Sequence, residues 1–80
     1  MDAIELPKTA INYKGEQTPI AWPKGKPIAN YGSVYLIRQR KGVYAVVYGL
    51  QVDKELSRDG AAQKFGQCVF HECECNGLLD

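Results

Sequence analysis

The chain has no apolar run long enough to cross a membrane. Its longest, Val43 to Tyr48, is far short of the roughly 18 residues a spanning helix needs. The start, Met1-Asp2-Ala3-Ile4-Glu5, lacks the basic opening and apolar stretch of a secretory signal. The expectation is an intact cytoplasmic product with no membrane partner. Cysteine is scarce as well: Cys68, Cys73 and Cys75 are the only three. An odd number crowded into one short segment cannot staple a domain. Free thiols in a reducing compartment are the simpler reading. Repeats and low-complexity tracts are absent. Gly25, Gly32, Gly42 and Gly49 match no phosphate-binding spacing, and Gly60 and Gly66 fall within a helical stretch. No pair of carboxylates is placed for acid–base work. No cofactor is implied, and the chain is expected not to be an enzyme.

What is present suits a small folded protein. The hydrophobic fraction is 45% and the charged fraction 24%, enough apolar surface to offset chain entropy. Eighty residues allow one domain spanning 1–80, with a thin core and net stability of about 3–5 kcal/mol. The net charge of +1 hides a division. From Lys8 to Lys41 there are seven bases against one acid, Glu16. From Gly42 to Asp80 there are three bases against six acids. Such asymmetry bears on partners rather than on fold.

Lys-Gly stands between strand-like residues twice, at Lys14-Gly15 and Lys41-Gly42. Glycine supplies the positive φ a hairpin turn needs, while lysine is a poor first residue for a type I′ turn. A three-residue loop closed by glycine is therefore expected. In a hairpin over 33–52 this places Gln39 opposite Val43, Arg38 opposite Tyr44 and Leu36 opposite Val46. One face then carries Val34, Leu36, Tyr44, Val46, Tyr48, Leu50 and Val52, and the other Tyr35, Ile37, Val43, Ala45 and Val47. Both faces are apolar, so both need covering unless one is a binding surface or closes a homodimer. Thr9 to Tyr13 and Gln17 to Trp22 read as short strands. Pro7, Pro19, Pro23 and Pro27 make the first half irregular. Trp22 to Pro27 reads as a basic loop.

The last element is the clearest. Ser57 is a good N-cap, and Asp59 suits the positive end of a helix. Ala61, Ala62, Phe65, Cys68 and Val69 recur at helical spacing. Gly77 after Asn76 suits a left-handed C′ position with Leu78 folding back toward Cys73. The spacing predicts a helix over about 58–76. Glu72 falls within its apolar stripe, where a carboxylate is out of place. The fold class is therefore α+β: a three- or four-stranded antiparallel sheet with one C-terminal helix packed on it.

Three constellations are candidates for chemistry. Cys68, His71, Cys73 and Cys75 are ligand types that suit zinc. On a continuous helix, however, Cys73 points away from the others, so buried thiols beside a surface histidine outweigh a small zinc domain. Cys68 and His71 are one turn apart, as a nucleophile and base would be. A helix interior is a poor place for a nucleophile, and no oxyanion loop accompanies the pair. The third constellation is basic and aromatic: Lys24, Lys26, Arg38, Arg40 and Lys41, with Trp22, Tyr31 and Tyr35. Cations beside stacking rings suit a single strand of nucleic acid. Solvated hairpin tips and packed tyrosines are the alternative.

In size and hairpin-plus-helix layout the chain resembles the small accessory proteins of phages and mobile elements, anti-CRISPRs among them. The resemblance rests on shortness, layout and lack of catalytic signature, with no residue motif. It implies an inhibitor or regulator of a host complex. The leading functional expectation is a non-enzymatic interaction module that meets a protein or protein complex. Its expected contacts are Lys24, Lys26, Tyr35, Arg38, Arg40, Lys41 and Tyr44. A nucleic-acid-binding accessory protein is the runner-up. The acidic end (Glu72, Glu74, Asp80) is a separate candidate for meeting a basic partner.

Overall fold

The computed structural model describes residues 4–79. Met1 to Ala3 and Asp80, which entered the reading of the two chain ends, lie outside them. The α+β fold expected from the sequence is borne out. Strands β3 (Lys26–Tyr31), β4 (Val34–Arg40), β5 (Val43–Tyr48) and β6 (Gln51–Leu56) form an antiparallel sheet in the order 3-4-5-6. Helix α1 (Arg58–Cys75) packs on one face of it. A separate two-stranded sheet, β1 (Thr9–Ile11) and β2 (Gln17–Pro19), precedes it.

The two faces of β4 and β5 are each covered by a different part of the chain. On one, Val34 and Val46 meet Cys68 of α1, with Leu36, Tyr48, Leu56, Phe65 and Val69 around them. On the other, Ile37, Ala45 and Val47 meet Ile20, with Ala10, Trp22, Tyr35 and Val52 packed alongside. Alternation along a strand sends neighbouring side chains to opposite faces, which is why this hairpin is apolar at nearly every position. The proline-rich first half is thus the lid of the second face. Trp22 fixes it there by stacking edge-on to Tyr35, with ring centroids 5.4 Å apart, and by donating from Nε1 to the Pro7 carbonyl at 2.7 Å.

The expected pairings Arg38–Tyr44 and Leu36–Val46 are observed. Gln39 does not face Val43, because Arg40 does. The extra residue forms a β-bulge at the end of β4, which absorbs the shift next to the turn and leaves the register of the hairpin's middle intact. Val52 lies on the opposite face from that expected. The chain turns at Gly49 and Leu50, with Gly49 at φ 62°, and returns as β6. Val52 therefore pairs with Val47 and joins its face. Lys26 and Pro27 are not loop but the start of β3, an edge strand that tolerates proline. In the small sheet the expected three-residue loop is observed: the Asn12 amide donates to the Glu16 carbonyl, the Gly15 amide donates to the Asn12 carbonyl, and Gly15 closes the turn at φ 80°. The Asn12 side chain organises it by accepting from the amides of Lys14 and Glu16.

The helix ends follow their sequence signals. The Ser57 hydroxyl accepts from the Gly60 amide at 3.1 Å. At the other end the Leu78 amide bonds the Cys73 carbonyl and the Gly77 amide bonds the Glu74 carbonyl. Gly77 stands at φ 71°. This is the Schellman pattern. No helix of the described residues is long and apolar enough to cross a membrane.

Candidate functional site

The face that carries α1 has two contrasting ends. Toward the helix C-terminus the polar groups are tied to one another. Glu72 leaves the apolar stripe to reach the β3–β4 turn, where its carboxylate accepts from the Ser33 amide at 2.7 Å. Its other oxygen accepts from the Tyr48 hydroxyl at 3.1 Å. His71 Nδ1 lies 3.0 Å from the same hydroxyl. Burial first, and the Glu72 carboxylate second, push the Tyr48 phenol up to about 12. Gly32, at φ 57°, sits so close beneath Glu72 that a side chain there would collide with the carboxylate. The carboxylate that looks out of place on the helix is a cap for a turn on the sheet.

The cysteines and histidine are dispersed around this end. Cys68 is buried between the sheet and the helix, which raises its thiol pKa and disfavours a thiolate. Cys73 Sγ lies 3.4 Å from the Tyr31 hydroxyl. Cys75 lies 3.7 Å from His71 Nδ1. Cys68 and His71 share only a shallow open pocket of about 260 Å³ with Tyr48, Gln51, Lys64 and Gln67. Among the described residues no group of three histidine, cysteine or carboxylate side chains is placed to hold a metal ion.

The other end is different. Lys26, Arg38, Tyr44 and Leu56 form one row across all four strands, each paired directly with the next. Alternation from Leu36 puts the row on the helix face. Beside it lies a groove of about 240 Å³ lined by Ile28, Leu36, Tyr44, Arg58, Ala61 and Ala62. A β-bulge between Pro27 and Ala29 brings Ile28 to it, and Ile28 remains 43% exposed. Lys26, Arg38 and Arg58 are exposed. Among the described residues no carboxylate lies within ion-pair distance of any of them. Two features here oppose stability. Like charges directly opposite on neighbouring strands repel. A base in the first turn of a helix meets the positive end of the helix dipole.

The expected contact residues are thereby divided. Lys26, Arg38 and Tyr44 stand together. Lys24 is exposed in the loop that leads into β3, beside Gly25, whose backbone lies against the Arg38 carbonyl. Tyr35 is on the opposite face, packed against Trp22. Lys41 is exposed at the tip of the β4–β5 turn. Arg40 is engaged within the chain: it grips Glu55 with two hydrogen bonds, of 3.1 and 2.8 Å. Glu55 is a non-glycine residue at φ 57°, in a bulge of β6, and its amide donates to Gln39 Oε1 at 2.8 Å. The Arg40 guanidinium holds the Glu55 carboxyl below the usual carboxylate range.

Ile28, Leu36, Arg58, Ala61 and Ala62 were not legible as site residues. The one signal for them was Arg58 itself, a base where a helix start favours acids. No protein-family model matches the chain, and no curated protein or solved structure matches it.

Proposed function

We propose that the chain is a non-enzymatic interaction module that acts by surface contact with a protein partner, through the row Lys26–Arg38–Tyr44 and the groove beside it. The observation that carries this reading is the direct pairing of Lys26 with Arg38. Neither has a counter-ion among the described residues, although the two stand directly opposite each other on neighbouring strands. Uncompensated charge that weakens the fold fits a surface whose counter-charges come from another molecule. Lys24 extends the basic surface, and an inhibitor or regulator of a larger complex is its concrete form.

Nucleic-acid binding is the second reading, favoured by the same cations. It also asks for rings on which bases stack. Of the rings considered for that task, Trp22 and Tyr35 pack on each other over the opposite face, and the Tyr31 hydroxyl lies against Cys73.

The test is site-specific photocrosslinking in cells. A crosslinker at Tyr44 is expected to trap a discrete protein. One at Gln63, exposed on the helix, is not. Trapping of nucleic acid from Tyr44, or identical products from the two positions, would remove the reading.

A further inference from the structure

The groove and the basic row together describe the partner's chemistry. The groove floor is apolar: Ile28, Leu36, Ala61 and Ala62, with the Tyr44 ring at one side. Its volume of about 240 Å³ is room for one or two side chains, below the range of drug-sized sites. Its rim is cationic. Arg58 lines it directly, while Arg38 and Lys26 follow Tyr44 along the row. Lys24 precedes the strand that carries Lys26. Among the described residues no carboxylate is in ion-pair distance of these bases: Asp53 and Glu55 pair with Lys64 and Arg40, Glu72 bonds Ser33 and Tyr48, and Asp59 shares the first helical turn with Arg58 without pairing with it.

We infer that the groove receives an acidic peptide segment of a protein partner, which inserts one large apolar side chain between Ile28, Leu36, Tyr44 and Ala62 and places its carboxylates on Lys26, Arg38 and Arg58. This rests on the proposed protein-interaction role and narrows it. The apolar side chain supplies desolvation, and the carboxylates supply orientation and register. A nucleic-acid strand would satisfy the bases but leave the aliphatic floor unfilled. The sheet edges are poor alternatives for strand addition, because β3 carries Pro27 and a bulge and β6 carries the Glu55 bulge.

The experiment is selection from a ribosome-displayed random peptide library on the full chain, followed by anisotropy titration of the enriched peptides. The expected consensus is a large apolar residue flanked by aspartate and glutamate. Its binding should weaken about tenfold or more in Arg38→Glu, and again in Ala62→Trp, which fills the groove from an exposed position. Circular dichroism confirms that both variants are folded, and Ala62→Gln serves as the milder groove variant. An acidic consensus with no apolar position, indifferent to Ala62→Trp, overturns the groove occupant while leaving a charged protein contact intact. Failure to enrich an acidic consensus overturns the inference. Tight binding of an oligothymidine that Arg38→Glu abolishes, with no peptide enriched, overturns both the inference and the role on which it rests. A dimer in solution that Ala62→Trp dissociates assigns the groove to a second copy and overturns it as well.

Discussion

The two ends of the helix-bearing face obey opposite rules. At the C-terminal end of α1, Glu72, Tyr48, His71 and the Ser33 amide bond one another. At the N-terminal end, Lys26 and Arg38 oppose each other, and Arg58 sits on the positive pole of the helix. One sheet and one helix build both ends, so the difference is not a matter of fold. The closed end is what a small protein does with polar groups it must bury in part: each finds a partner, because an unpaired one is costly. The open end gives up that economy where solvent can screen the charge. On the proposed reading, stability and binding are divided between the two poles of one helix.

Breaking the closed end should cost most. Gly32→Ala puts a side chain into a left-handed position, at about 1–2 kcal/mol. It also drives Glu72 from the Ser33 amide, which adds about 1–3 kcal/mol. Against a net stability of about 3–5 kcal/mol, the variant is expected to be marginally stable, with a much lower thermal midpoint by far-ultraviolet circular dichroism. Glu72→Ala removes the acceptor without the backbone strain. It should lower stability by about 1–3 kcal/mol in urea titrations, with the transition still cooperative.

The Tyr48 phenol provides a pH test of the same end. Its folded value of about 12 lies above its ordinary value of 10.0. The folded state therefore holds the proton more tightly than the unfolded state. This contribution is fully present below pH 10.0 and is lost as the pH rises toward about 12. Tyrosinate absorbance should show a late step, near pH 12, that is lost in Tyr48→Phe. Tyr48→Phe should lose less stability than the parent over the same range. Equal losses in the two proteins would mean that Tyr48 is not held by Glu72 and burial.

Legibility in the sequence followed the range of the interactions. The helix could be read because its signals are local: Ser57 acts three residues away, and Gly77 and Leu78 act within a turn. The central hairpin could be read because its two apolar runs rich in β-branched and aromatic residues, Val34 to Ile37 and Val43 to Tyr48, flank the Lys41-Gly42 turn. Strand β3 was hidden, since Pro27 and the Ile28 bulge interrupt the alternation that marks a strand. Strand β6 was hidden by its polar run, Gln51 to Leu56, which follows the Gly49 turn without a proline, asparagine or aspartate to mark it. The role of Glu72 was beyond reach, because its partner Ser33 is 39 residues distant. The candidate site was half visible. Charge asymmetry marked the bases but not which face each occupies. That depends on register, which separates Tyr35 from Tyr44, and on pairing, which commits Arg40 to Glu55.

The smallest expected effect is the most direct test of the central claim, that the basic row is kept at the expense of the fold. Lys26→Glu turns a like-charge cross-strand pair with Arg38 into an opposite-charge one. In urea unfolding at low salt the account predicts a rise in stability of about 0.2–1 kcal/mol, which fades as salt is added. A fall in stability would contradict it, by showing that Lys26 already has a partner within the chain and that the row is part of the scaffold.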